Sequence, residues 1–236
     1  YELTGDVKKR QESEYWKSIE FSLFHKVAVS YYPSYVEEEA IHAVDETIPV
    51  KAITAYVYEE FLQNLNKDFA KREGLLFVGG FAHPPNADAV LWFAKEVFPK
   101  IREQIKVNFY IVGSKVTDEI KALEQPGNGI IVKGFVSEEE LADLYRNCRI
   151  VVVPLRYGAG VKGKVVEAIY NGAPIVTTSV GSEGIPDVEK VLLVKDQPDE
   201  FAETVVELYK DEKRLEDLAE KTQVYIREHF SIDAAW

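Results

Sequence analysis

A chain of 236 residues, 46% hydrophobic and 29% charged, can bury one large domain or one and a half ordinary ones, and this is not the composition of a disordered segment. A net charge of −12 weighs against nucleic acid and anionic membrane surfaces as partners. No apolar run approaches the ~18 residues of a membrane span, and a lone cysteine, Cys148, cannot close an internal disulfide.

The chain opens at Tyr1 without a secretory signal and contains no Met. A piece of a longer cytoplasmic protein is expected, at most peripheral to the inner face of the membrane. Residues 1 to about 73 are irregular in pattern. Glu14 to Phe24 reads as an amphipathic helix with Trp16, Ile19, Leu23 and Phe24 inward. Val27 to Ser30 reads as a short strand, and Pro33 to Val44 as a second helix with Pro33 in its first turn. Val50 to Thr54 reads as another strand, and Ala55 to Lys71 shows no clean period. These elements are too few to close a sheet. They are expected to be the partial end of a preceding domain plus a linker, with residues 74–236 forming the next domain.

From Leu75 the pattern is regular. Apolar strand-like runs lie at Leu75–Val78, Val107–Val112, Ile130–Val132, Ile150–Val153, Pro174–Thr177 and Val191–Val194. Helical stretches separate most of them: Asn86 to Gln104, Thr117 to Leu123, Ser137 to Asn147 and Lys164 to Asn171. Pro198 to Tyr209 and Asp211 to His229 finish the chain. The first of these helices carries Val90, Phe93, Val97, Ile101 and Ile105 on one face, and Ser137 with Glu140 predicts a capping box. Continuous apolar strands alternating with helices predict an α/β, Rossmann-like parallel sheet with helices on both faces.

Ligands of such sheets bind beyond the carboxyl ends of the strands. Here those ends run into Gly79-Gly80, Gly113, Gly134-Phe135 and the loop 156–164, which reads Arg156-Tyr157-Gly158-Ala159-Gly160-Val161-Lys162-Gly163-Lys164. Glycines at four ends on one edge allow a ligand close to the backbone. The loop opens directly onto a helix, whose free N–H groups and positive dipole end attract phosphate. Lys162 and Lys164 add positive charge. The loop nearly spells a P-loop, Gly158, four residues, Gly163-Lys164, but Val165 stands where a Mg²⁺-binding Ser or Thr is required. An NTPase is therefore a minor alternative. Glu167 follows on the first turn of the same helix, either as a charge–dipole partner or as an acceptor for the two ribose hydroxyls. Four histidines, His25, His42, His83 and His229, lack metal-ligand spacing, so no metal is expected. Cys148 reads as a packed thiol.

Pro154 to Thr178, PLRYGAGVKGKVVEAIYNGAPIVTT, resembles the core motif of glycosyltransferase family 4, whose members adopt the GT-B fold. Phe77 to Gly80 with Pro84 to Asp88, Ile111 to Gly113, Lys133 to Val136 and Gly181 to Gly184 resemble the family's other strand ends and loops. The resemblance covers about residues 74–230. It implies transfer of a sugar, with retention and without an obligatory metal, from a nucleotide-diphosphate donor to an unknown glycan or lipid-linked acceptor in glycan or polysaccharide biosynthesis. Residues 1–73 would be the tail of the acceptor-side N-terminal domain, the rest of which is missing, so this chain alone is expected to transfer poorly. Glu167 matches the second Glu of the family's Glu-seven residues-Glu motif, which binds donor ribose. The first Glu position is Ala159, and the family's Arg after the first strand is Gly80. The donor-binding set is thus Gly79, Gly80, Gly113, Phe135, Gly158, Ala159, Gly160, Val161, Lys162, Lys164 and Glu167, with catalytic residues unassigned. Ala159 and Gly80 leave open a sugar-nucleotide-binding subunit without catalysis. A nucleotide-sugar epimerase would need acid–base groups in the cleft, and only His83 lies near a strand end.

Overall fold

The computed structural model of the protein describes residues 7–235. It divides into two compact units at Ala55/Tyr56. In the first, helix α1 (Val7–Phe24) precedes a parallel pair, β1 (Ser30–Tyr32) and β2 (Val50–Ala52), joined through α2 (Tyr35–His42). Its core is small: Phe24, Ile41, Ile48 and Val50, with Phe21 and Tyr32 against them. The expectation that Trp16 and Leu23 face inward fails within this unit, where they are 64% and 51% exposed. Two three-residue strands cannot cover the whole apolar face of an 18-residue helix. The first strand also starts at Ser30 rather than Val27, because Val27 sits in the bend that follows α1.

The second unit holds a six-stranded parallel sheet: β3 (Leu75–Val78), β4 (Phe109–Val112), β5 (Ile130–Gly134), β6 (Ile150–Val153), β7 (Ile175–Thr177) and β8 (Leu192–Val194). The strand order is β5-β4-β3-β6-β7-β8, so the chain winds outward from β3 in one direction, then returns to start again at β6. That order places a topological switch point between β3 and β6, where the carboxyl ends part and leave a crevice. β3 and β6 are buried along nearly their whole length, as continuous apolar runs in a covered sheet must be.

Helices α3 (Pro84–Trp92) and α4 (Phe98–Arg102) follow β3, α5 (Asp118–Lys121) follows β4, and α6 (Glu138–Asn147) follows β5. After β6 comes α7 (Gly163–Tyr170), after β7 the single turn α8 (Ser179–Ser182), and after β8 the two long helices α9 (Pro198–Lys210) and α10 (Glu212–Phe230). The helix expected over 86–104 is interrupted by a π-helical turn at Phe93–Val97. Pro99 explains this: it has no N–H to donate to Lys95, and its ring crowds that carbonyl. The expected apolar face survives the break, with Val90, Phe93, Val97 and Ile101 all fully buried. Phe93 packs against Phe109 and Phe201 at centroid distances of 4.7 and 5.7 Å, tying the π-helical turn, the sheet and α9 together. At α6 the Ser137 hydroxyl accepts from the Glu140 amide at 3.1 Å, but the Glu140 carboxylate bonds Lys133 instead of reaching back. Half of the expected capping box forms.

Residues 56–73 contain no long element, yet they pack on this core. Phe69 is buried, and Tyr56, Tyr58, Phe61 and Leu65 lie against it. Tyr58 pairs with Ser231 beyond α10. Arg72 is buried and donates to the carbonyls of Tyr145 and Cys148 at 2.7 and 2.8 Å, capping the end of α6.

Candidate functional site

The carboxyl ends of the first three strands are joined beyond the sheet proper. Gly79 donates to Val112 at 3.0 Å, Phe81 to Ser114 at 2.9 Å, and Gly113 to Gly134 at 2.8 Å. This close approach dictates the residue type. Gly113 has φ +150°, and a Cβ there would fall 1.8 Å from the Gly79 carbonyl oxygen. A Cβ on Gly79 would stand 2.9 Å from the Lys164 ammonium and 3.0 Å from the Asn86 amide. Glycine at these ends therefore makes room, in part for a cation.

A cavity of about 200 Å³ opens at the switch point. One wall comes from His83 and the start of α3, with Pro85 and Asn86; the other comes from Leu155, the loop after β6 and the start of α7. Of the expected donor-binding residues, Gly158, Ala159, Val161, Lys162 and Lys164 line it together. Lys164 is its main charge. The ammonium hydrogen-bonds the Asn86 side-chain oxygen and lies 4.9 Å from the Phe77 ring centroid. Asn86 is itself oriented by donating to the Gly80 carbonyl at 2.8 Å. No carboxylate pairs with Lys164 among the described residues. Burial, with a smaller push from Lys162, lowers its pKa from 10.5 to about 8. A half-buried ammonium with only neutral partners is a site prepared for an anion.

The other cations of the loop are already engaged. Lys162 bonds the Gly160 carbonyl and pairs with Glu183 at 3.1 Å, tying the loop to the segment after β7. Arg156 makes a two-pronged contact with Asp88, through Nε at 2.8 Å, and lies over Trp92, tying the loop to α3. Of two helix ends at the cavity, α3 begins Pro84-Pro85 and so lacks two N–H groups. The start of α7, where Lys162 supplies no side-chain cap, keeps the N–H groups of Gly163 and Lys164 for a ligand.

Glu167 lies outside the cavity lining. Because α7 begins at Gly163, Glu167 falls on its second turn rather than the first, where a charge–dipole contact weakens. Its carboxyl is raised above the usual range by burial, opposed by the Tyr145 hydroxyl. The rest of the expected set also lies outside the cavity lining. Gly79 and Gly80 support Lys164 and Asn86, Gly113 and Phe135 sit at the ends of β4 and β5, and Phe135 is 81% exposed. Gly160 turns the loop with φ +76°. Asn86, His83 and Tyr157 also line the cavity, although the expected donor-binding set does not include them. For Asn86 the available signal was a polar residue directly after Pro-Pro at a helix start. Among the described residues no group of three or more His, Cys, Asp or Glu is placed to hold a metal ion, and no helix is long and apolar enough to cross a membrane. Cys148 is buried, which pushes its thiol up to about 12.

Residues 72–211 match the family described as glycosyl transferases group 1. An uncharacterised 44.6 kDa protein in the cps region of Klebsiella pneumoniae is 29% identical over 184 residues, which cover 74% of this chain and 45% of that protein. Among solved structures, the fold is similar to TarM of S. aureus, determined as a point mutant with fondaparinux, alpha-GlcNAc-glycerol and UDP. The TM-score is 0.73 at 14% identity, covering 90% of this chain and 43% of that one. HepE of Anabaena with UDP and glucose gives 0.70 at 15% identity, covering 90% and 62%. Sucrose-phosphate synthase of Thermosynechococcus elongatus gives 0.71 at 18% identity, covering 92% and 58%. The chain thus spans about half the length of the proteins it matches.

Proposed function

The chain belongs to the glycosyl transferases group 1 family, and we propose that it is the donor-binding part of a glycosyltransferase that takes a sugar from a nucleotide diphosphate. The single observation that carries this reading is Lys164: a half-buried cation without a carboxylate partner among the described residues, in a cavity at the switch point of a doubly wound sheet. The diphosphate lies against Lys164 and the amides opening α7, Glu167 accepts the ribose hydroxyls, and the base lies toward the end of β5 near Phe135. UDP is the first nucleotide to test, because the TarM and HepE structures contain it. The acceptor is a glycan or lipid-linked glycan in polysaccharide synthesis, consistent with a relative in a cps region. Transfer proceeds with retention and needs no metal. The acceptor side belongs to a domain of which the parallel pair β1–β2 is the end. The protein works in the cytoplasm or at the inner membrane face.

Ala159 favours a second reading. It lines the cavity where the resembling motif carries a carboxylate for the donor sugar, and a binding subunit without catalysis would tolerate that loss. A radiolabelled transfer assay on the full-length protein separates the two, turnover supporting the enzyme. Donor binding itself is tested by thermal shift. A nucleoside diphosphate at 100 times its Kd should stabilise the protein by about 2.7 kcal/mol, and the plain nucleoside much less. If no nucleoside diphosphate raises the melting temperature, the proposal fails.

A further inference from the structure

Tyr145 belongs to the main core, but the core does not explain its hydroxyl. It lies in α6 and is 1% exposed. Its backbone is pinned by the buried Arg72, which donates to the Tyr145 carbonyl at 2.7 Å. Its hydroxyl has no hydrogen-bond partner of ordinary geometry among the described residues. A buried unpaired hydroxyl is unfavourable, and Phe would fill the same space without it. The hydroxyl faces the carboxylate of Glu167 across the gap between α6 and α7. Glu167 is half-buried. A carboxylate that is to accept two ribose hydroxyls must stay ionised and point in one direction, and a fixed donor behind it does both.

We propose that Tyr145 is a positioning residue for ribose recognition: its hydroxyl donates to Glu167 when that carboxylate turns to the ribose, and so sharpens discrimination between ribose and deoxyribose. This rests on the reading of Glu167 given above. Tyr145 itself does not touch the nucleotide. In the empty protein its hydroxyl already acts on Glu167 without reaching ordinary hydrogen-bond geometry, and in the occupied one it forms the full bond.

The test compares UDP and GDP with their 2′,3′-dideoxy counterparts by calorimetry on wild type, Glu167→Ala and Tyr145→Phe. Wild type should prefer the ribose forms, and Glu167→Ala should abolish the preference. Tyr145→Phe should reduce it about tenfold while leaving dideoxy binding unchanged and the melting temperature of the empty protein no lower than that of wild type. It should also move the acid limb of ribose-form binding to higher pH, since Glu167 protonates more readily without the donor. A Tyr145→Phe protein that keeps both the full preference and the wild-type limb overturns the proposal, while loss in Glu167→Ala still supports the ribose site. If wild type shows no preference, or Glu167→Ala retains it, the ribose reading falls and this one falls with it.

Discussion

Binding of a nucleoside diphosphate at pH 8 should draw a proton from solution onto Lys164. In the empty protein, burial holds the pKa of this ammonium at about 8 against an ordinary 10.5, which corresponds to about 3 kcal/mol disfavouring its charged form. At pH 8 the side chain is therefore about half protonated, whereas a bound diphosphate requires the full charge. Net uptake should be about half a proton per ligand, and affinity should weaken by up to tenfold per pH unit above 8, until the pKa of the occupied site is reached. Calorimetry at pH 8 in buffers of different ionisation enthalpy reads the uptake directly. The nucleotide phosphates are already ionised there and contribute little. Lys164→Ala should bind the diphosphate weakly and without uptake, and the plain nucleoside should bind wild type without uptake. Zero uptake in wild type, or equal uptake in Lys164→Ala, would refute the assignment of Lys164 to the phosphates.

The sheet was legible because parallel strands covered on both faces must be apolar along their whole length, and Ile150–Val153 or Leu75–Val78 can be little else. The glycines at the strand ends were legible for a related reason: at Gly113 no side chain fits. The loop 156–164 stood out by composition, but its division of labour did not. Nothing in the spacing tells that Arg156 is spent on Asp88, 68 residues away, or that Lys164 meets Asn86 across 78 residues. Such pairs exist only once β3 and β6 lie side by side. The helical period of α1 marked Trp16 and Leu23 as apolar-face residues, yet a period says nothing about whether a covering surface is present. Tyr145 carried no signal, because a buried tyrosine in an amphipathic helix looks like ordinary core until its hydroxyl is found unpaired.

Four further substitutions follow from the same contacts. Gly113→Ala should destabilise the protein by about 3 kcal/mol or prevent folding, because φ +150° is strained for alanine and its Cβ meets the Gly79 carbonyl; a wild-type urea midpoint would contradict this. Arg156→Ala should release the loop from Asp88 and Trp92, so proteolysis between residues 156 and 163 should accelerate in the empty protein and slow again with a nucleoside diphosphate. The last comparison sets two lysines, two positions apart, against each other. Lys162 already has its counter-ion, so Lys162→Met strands a half-buried Glu183 and should cost about 1 kcal/mol or more. Lys164 has none. Lys164→Met keeps a flexible stem beside Phe77 while removing a charge that burial disfavours, so at pH 7 the empty protein should melt higher than wild type. The sign depends on pH. Between about pH 8 and 10.5 the unfolded chain holds a proton at this lysine that the folded protein has lost, so wild-type stability rises with pH there, and the advantage of Lys164→Met should shrink toward about pH 10. The advantage disappears in the presence of diphosphate, where wild type gains what the variant cannot. Melting curves of both variants at pH 7 and pH 9.5 decide the matter. Shifts of the same sign at pH 7 would mean that Lys164 is an ordinary structural lysine, and the cavity would lose its claim to an anion.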